Sequence, residues 1–559
     1  MDVTRLRQRT TGPLILELDL ADGLVEAVPT DPITALASMR RTKLIDVLDG
    51  LKRAARDDRV KALVVRVGAG RIGLARVQEV RAAVAEFRRS GKLAVAWTES
   101  FGEFTRGNLP YYLATAFEKI YLQPTGTLGL TGVAVEQVFV RDALAKLGVD
   151  FQSGKRHEYK TAADQLTETG FTGPARETMQ RLAESVAEQL VAGIVEGRGK
   201  TAEEARNLLD RGPLLAQQAL DQGLVDALAY RDEVYDDVRK KAGAEATLQY
   251  VARYQRMRML ADLPRRAAAA GRERHVALIY AHGPIRLGRS GRGPLSGGSM
   301  GSDTISAAIR SAVADERAGA IVLRVNSPGG SAVASDTIWR EVVRARGAGK
   351  PVIVSMGDVA ASGGYYISMA ADVIVAQPGT LTGSIGVILG KPVMEQLFGH
   401  AGVTTDTVAI GSSATMFSIA HRFSEDEWAQ INEWLDAVYT DFTAKVASGR
   451  RLPSERVDEL ARGRVWTGAD AVANGLADEA GGLTEALEVA RRRGGLPSSA
   501  PVRVFPRTSP LEQIRPAESS EARPAAAWFD GWGSLGQLAA RAGLPPHGPL
   551  MLPGIWTIS

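Results

Sequence analysis

Apolar and polar positions follow two periods along this chain. From Leu14 to Leu20 apolar residues alternate with acidic ones, the period-two pattern of a strand, and a proline-bearing loop follows. From Lys43 the spacing of Leu44, Val47, Leu48 and Leu51 predicts an amphipathic helix. Val60 to Val67 then reads as a buried strand, Val77 to Phe87 as a helix and Leu93 to Trp97 as the next strand. Strands alternating with helices indicate an α/β fold with a parallel sheet. The second half runs in the same order. Ala320 to Val325 is a buried-strand pattern that ends in the glycine-rich turn Asn326 to Ser331. Pro351 to Ser355 is another, expected to stop at a turn at Gly357-Asp358. Small residues 360–364 lead from there into a buried helix over Tyr365 to Ala371, and Pro378 to Val387 supplies a third glycine-rich loop.

The parallel between the halves extends to residue types. DDRVKALVVRVGAG from Asp57 matches DERAGAIVLRVNSPGG from Asp315, and PYYLATAFEKIYLQPTGTLGLTGV from Pro110 matches GYYISMAADVIVAQPGTLTGSIGV from Gly364. Helical stretches follow in each half, Gly170 to Glu196 and Phe423 to Lys445, and each half closes on a similar turn, Gln222 to Asp226 and Asn474 to Asp478. The chain is therefore a tandem duplication. Its expected divisions are a first copy over 1–245, a linker over 246–272, a second copy over 273–495 and a tail over 496–559. Tyr250 to Leu263 of the linker has helical character and the rest is basic; the tail is rich in Pro, Ser and Ala and ends in an apolar stretch from Pro549 to Ile558.

Composition narrows the chemistry. There is no cysteine, which removes disulfides, thiolate metal sites and a thiol nucleophile. The six histidines, His157, His275, His282, His400, His421 and His547, are scattered without metal-ligand spacing, so no metal and no cofactor is expected. A net charge of +4 over 559 residues, spread out, gives no basic stripe for nucleic acid. Nucleophilic catalysis in such a chain falls to Ser or Thr, with lysine as the alternative base to histidine. No apolar stretch at the N-terminus is long enough for a signal peptide or a membrane span.

Ser362 sits near an expected helix start between residues small enough to admit another backbone. A serine there commonly caps the helix; amides at a helix start also favour a developing negative charge, which suits a nucleophile. The turn from Asn326 to Ser331 can present backbone N–H groups as an oxyanion hole.

The motifs NSPGG, ASGGYY and TGSIGV, in this order and spacing, resemble the signal peptide peptidase A (protease IV) family of serine peptidases, in its long duplicated form. The resemblance covers about residues 45–490 and implies a ClpP/crotonase-like spiral fold and a Ser/Lys dyad. By it, Ser362 matches the nucleophile, Ser384 a serine that hydrogen-bonds the lysine, and Gly330 and Gly363 the oxyanion-hole amides. The copies differ at these positions. Asn108 stands where Ser362 stands, Leu130 replaces Ser384, and Val67 to Gly70 replaces the NSPGG turn. The first copy carries instead Tyr159-Lys160-Thr161-Ala162-Ala163, similar to the family's tyrosine-lysine-small-small motif, so Lys160 matches the general base. Lys155 is its competitor, and the aligned stretch of the second copy, Gly411 to Phe417, has no lysine. Asp164-Gln165-Leu166 departs from the proline and acidic residue the family often has after the lysine.

A lysine works as a base only when neutral, so Lys160 is expected to have its pKa lowered by burial and by a nearby cation such as Arg156. The resemblance implies hydrolysis of cleaved signal peptides and similar apolar peptides by a homotetramer, membrane-associated at its periphery or cytoplasmic. Two other readings are an acyl-CoA enzyme of the crotonase type, which binds CoA and does not need Ser362, and an inactive scaffold on membrane complexes.

Overall fold

The computed structural model describes residues 12–26, 42–68, 70, 72–103, 105–261, 273–292, 298–506 and 550–551. The chain packs as two compact units, Met1–Ala134 with Ala183–Glu273, and Val135–Leu182 with Arg274–Ile558. Both are α/β, as the alternating pattern predicts.

In the first unit, β1 (Leu14–Asp19), β2 (Val60–Arg66), β3 (Leu93–Thr98) and β4 (Lys119–Leu122) lie side by side in that order. Every pair is parallel, with Thr247–Tyr250 beyond β1 and Ala227–Leu228 beyond β4. Helices α1 (Leu44–Ala55), α2 (Leu74–Arg89) and α3 (Asn108–Ala114) fall between the strands. The apolar stripe of α1 is buried as its spacing requires, at Leu44, Val47, Leu48 and Leu51. Ile15, Val64, Val95 and Trp97 pack against Val234, Tyr235 and Val238 of the helix Arg231–Ala242.

The second unit repeats that order. It takes in β5 (Asp150–Arg156) and then β6 (His275–His282), β7 (Ala318–Ser327), β8 (Gly329–Gly330), β9 (Val352–Ala361), β10 (Val373–Ala376), β11 (Leu381–Gly383) and β12 (Val387–Val393). Strands β6, β7, β9 and β10 form a parallel run corresponding to β1 to β4. Helix α4 (Ala332–Gly347) follows β8, α5 (Gly363–Tyr366) follows β9, and α6 (Glu425–Arg450) is the long helix after β12. Buried side chains of β6, β7, β9, α4 and α6 share one core.

Four expectations need correction. No turn breaks the chain at Gly357-Asp358; β9 runs through it. Its neighbour changes there instead, from β10 over Ile353–Ser355 to β11 over Val359–Ala361. Opposite β7 the register slips, with Val325 facing Met356 and Ser327 facing Ala360, a bulge into which Asn326 inserts to accept a hydrogen bond from the Val359 N–H at 3.1 Å. Glycine is suited to that crossing, since a Cβ on Gly357 would meet the Asn326 side chain at 3.0 Å. The helix expected over Tyr365 to Ala371 is only the single turn α5. The tail does not begin at 496 as irregular chain, because Val502–Phe505 pairs in parallel with β6 as an edge strand. Residues 135–182, read as part of the first copy, pack in the second unit, where β5 pairs with β12. The helical start of the linker is found at Val251–Ala261, while its basic part over 262–272 and the tail over 507–549 and 552–559 lie outside the described residues.

Candidate active site

Strand β9 delivers the chain to Ser362, which stands at the cap position of α5 with φ 56° and ψ −115°. That is a conformation L-residues rarely hold, costing about 1–3 kcal/mol when imposed by the surroundings. The surroundings do impose it: the Ser362 N–H donates to Gly383 O at 2.7 Å, and Tyr365 of the following turn donates its hydroxyl to Leu476 O at 2.9 Å. The Ser362 hydroxyl makes no capping bond. It is left free for another partner.

That partner is Lys160. All seven residues of β5 pair antiparallel with β12, from Asp150 opposite Val393 to Arg156 opposite Val387. The Lys160 Nζ lies 2.8 Å from Ser362 Oγ, 3.0 Å from Ser384 Oγ and 3.0 Å from Ser384 O. Lys160, Ser362 and Ser384 are all fully buried. Small residues after the lysine have a packing reason, because Ala162 and Ala163 are buried with Phe151, Leu166 and Ile388. Gly463 covers the lysine backbone, where a Cβ would come within 2.4 Å of Lys160 N.

Polar contacts clamp the lysine segment on its outer side. Arg462 pairs with Glu158 at 2.9 Å, Arg464 with Glu177 at 2.7 Å, and the Arg464 guanidinium lies 3.9 Å from the ring centroid of Tyr159, whose hydroxyl donates to Glu177 at 2.8 Å. Lys155 is engaged elsewhere, with the buried carboxylate of Asp164 at 2.8 Å. Of the two lysines only Lys160 reaches the serine.

Burial pushes the Lys160 amine well below its ordinary value, since a charge fully removed from water is disfavoured. Arg156 takes no part in this, contrary to expectation. It turns outward to pair with Asp436 of α6 and with Asn432, away from the amine. A neutral Nζ has a lone pair, and in that state the Ser362 O–H donates to it. Ser384 also has positive φ, 52°, with its N–H on Arg464 O at 2.7 Å, so two constrained serines meet the one amine.

Gly330 and Gly363 come together beside Ser362. A Cβ on Gly363 would stand 3.1 Å from Gly330 N, and one on Gly330 would collide with Ile285 O at 2.0 Å. With φ at +154°, Gly330 occupies a position that only glycine fills without strain. Among the described residues no group of His, Asp and Glu is arranged to hold a metal ion.

In the first unit the corresponding position carries no hydroxyl. Asn108 uses its side chain to tie the following loop, donating to Gly132 O at 2.7 Å and accepting from the Thr131 N–H at 3.2 Å. A depression of about 270 Å³ at β1 to β3 is lined by the ion pairs of Arg66 with Asp19 and Glu99. Motif matching located both dyad candidates but missed the β5–β12 ladder that brings them together. Its only sequence signal is the short apolar run Val387-Ile388-Leu389 at the end of TGSIGV and just beyond it.

A family model described as Peptidase family S49 matches residues 86–245 and 344–496, once in each half. The chain is 33% identical over 464 residues to Protease 4 of Salmonella typhi, covering 80% of this chain and 72% of that protein. It is 31% identical over 475 residues to the chloroplastic serine protease SPPA of Arabidopsis thaliana, covering 84% and 67%. Protease 4 of Haemophilus influenzae is 30% identical over 508 residues, covering 86% and 79%. Among solved structures, a ClpP1 variant from Listeria monocytogenes aligns over 38% of this chain and 94% of that chain at 14% identity with a TM-score of 0.24, too loose a match to bear on the fold. With the family matched in both halves and relatives named as proteases aligned over most of their length, the chain belongs to Peptidase family S49 and is a serine-type protease of that family.

Proposed function

We propose that the chain is an endopeptidase in which Ser362 is the nucleophile and Lys160 its general base, acting on cleaved signal peptides or other apolar peptides. The observation that carries this is a single contact, the 2.8 Å approach of a fully buried amine to a serine hydroxyl that caps nothing. In the proposed reaction the neutral Lys160 Nζ takes the Ser362 proton as Oγ attacks the scissile carbonyl carbon. The oxyanion so formed is held by the Gly330 and Gly363 N–H groups. Lys160, now an ammonium, returns the proton to the leaving amine as the C–N bond breaks, which leaves an ester on Ser362. It then deprotonates the water that releases the acid and regenerates the serine. Ser384 orients the amine through its hydroxyl and carbonyl.

The substrate class rests on the resemblance to signal peptide peptidases. A homotetramer with peripheral membrane contact is part of the same proposal, favoured by the exposure of Val408, Ile410 and Phe417 in the stretch before α6. No helix among the described residues is long and apolar enough to cross a membrane.

Hydrolysis of a leucine-rich fluorogenic peptide by the native chain, Ser362→Ala and Lys160→Ala tests the assignment. The native chain is expected to cleave and both folded variants to lose nearly all turnover. Native turnover in Ser362→Ala would remove the nucleophile.

A further inference from the structure

The cavity of about 270 Å³ in the first unit is lined by Asp19 and Arg66, the last residues of β1 and β2, and by Trp97 and Glu99 at the end of β3. The carboxyl edge of a parallel run is where open α/β sheets bind ligands. Pockets for drug-sized molecules measure about 300–1,000 Å³, so this one admits something smaller. The second unit has closed the same place. There Arg324 faces Ser355 across the ladder of β7 and β9, is fully buried and donates to Ser355 Oγ at 2.8 Å and Met356 O at 3.1 Å. In the first unit the facing pair is Arg66 and Trp97, and the arginine stays open to solvent.

The wall of this cavity has two poles. Arg66 is shared between two carboxylates, Glu99 at 2.8 Å and Asp19 at 3.3 Å, which leaves one negative charge in surplus. All three side chains are at least 38% exposed, so that surplus is accessible to a cation. At the other pole Tyr235 stands between two donors. Trp97 is edge-on to its ring at 6.4 Å, and the Arg231 guanidinium lies 4.4 Å from its centroid. The Tyr235 hydroxyl is committed to Glu17 at 2.7 Å, and Arg231 offsets the charge of Glu17 from 3.9 Å. Trp97 is only 4% exposed, and its indole N–H has no acceptor at bonding geometry, although the Tyr235 oxygen is near. A buried donor in that state is rare in native proteins and calls for an acceptor.

We infer that this cavity binds a small zwitterion, a free amino acid or a dipeptide, with its ammonium group at Asp19 and Glu99 and its carboxylate on the Trp97 N–H and Arg231. Such a ligand answers both poles at once. The ammonium group neutralises the surplus carboxylate, while the ligand carboxylate accepts from the indole and pairs with the guanidinium. A simple anion or a simple cation answers only one. Every residue named belongs to the first unit, so the inference does not rest on the proposed peptidase reading.

Isothermal titration calorimetry of the full chain with leucine, leucyl-leucine, N-acetyl-leucyl-leucine and leucyl-leucine amide tests this. Leucine or leucyl-leucine is expected to bind, the tighter of the two telling amino acid from dipeptide. Each capped dipeptide is expected to bind at least about tenfold more weakly than leucyl-leucine, because it lacks one charged group. Trp97→Phe keeps the ring and removes the N–H, and is expected to weaken binding about 3- to 10-fold. Arg231→Gln changes a side chain that is 60% exposed, so it keeps the fold, and is expected to weaken binding about tenfold. Lys160→Met is expected to bind as the native chain does, which separates this cavity from any binding beside Ser362. No heat from any of the four ligands at millimolar concentration overturns the inference. So does an acetylated dipeptide that binds as tightly as the free one, or binding that Lys160→Met abolishes while Trp97→Phe and Arg231→Gln leave it intact.

Discussion

Lys160 is the residue at which stability and the proposed chemistry pull apart. A fully buried amine is disfavoured in its charged form, so its folded-state pKa is well below that of the unfolded chain, about 10.4. Between those two values the unfolded chain binds the extra proton, and stability therefore rises with pH across that window, by up to about 1.4 kcal/mol per pH unit. Below the folded pKa the full penalty is present. Lys160→Met removes the slope, so denaturant unfolding at several pH values is expected to give a native-minus-variant difference that grows more favourable to the native chain as pH rises. A parallel pair of profiles would mean that the amine is not buried as described. Ser384→Ala keeps the fold but frees the amine from one of its three contacts, and is expected to lower kcat by about 5- to 30-fold, the equivalent of one lost hydrogen bond of about 1–2 kcal/mol. Steady-state kinetics with a folding control checks this. Both dyad candidates were legible in the sequence through their motifs, but the cause of the lowered pKa was only half legible. Burial was; the role given to Arg156 was not, because which way the last side chain of a strand turns depends on α6, a partner nearly 300 positions away in the sequence.

At the level of elements, the site exists because three backbone segments converge: β9 with its change of neighbour, the β5–β12 ladder and the glycine strand β8. Arg156 belongs to this scale, tying the end of β5 to Asp436 of α6 through an exposed carboxylate. Such surface pairs are worth about 0–1 kcal/mol. Arg156→Gln is accordingly expected to cost less than about 1 kcal/mol by denaturant unfolding and to leave the midpoint of the pH–rate profile where it is; a moved midpoint would return a charge role to Arg156. Gly330→Ala is different in kind, since its Cβ collides with the Ile285 carbonyl at 2.0 Å. It is expected to shift β8 and lose activity about 100-fold or more, as removal of an oxyanion donor does, which single-turnover kinetics can read. The apolar runs announced the strands, and failed where strands do something other than stop. A Gly-Asp pair reads as a turn in sequence, and only the second neighbour, β11, explains why the chain stays extended through it. The glycine strand β8 was illegible for a similar reason, since two adjacent glycines look like a turn and not like a strand.

At the scale of the whole chain, duplication has left two α/β units of unequal chemistry. The first keeps the parallel sheet and holds an asparagine bonded into its own loop at the serine position; the second holds Ser362, Ser384 and, through residues 135–182, Lys160. The repeat itself was plain in the sequence. That the lysine segment packs with the later unit was not, because sequence order assigns it to the earlier one and only strand pairing reassigns it. On the proposed dyad, Ser362 is the serine expected to react. A fluorophosphonate probe with peptide mapping is expected to label Ser362, and Asn108→Ser is not expected to add a second site, since the side chain at 108 bonds to Gly132 and Thr131 and not to an amine.

The most direct test of the account is the pH dependence of that labelling rate in the native chain and in Lys160→Met, because it reports the nucleophilicity of Ser362 without any assumption about substrate. The native rate is expected to climb with pH and level off at a midpoint well below the ordinary lysine range, and the variant to label slowly with no such midpoint. A variant that labels as fast as the native chain, or a native midpoint near the unperturbed lysine value of about 10.4, would contradict it.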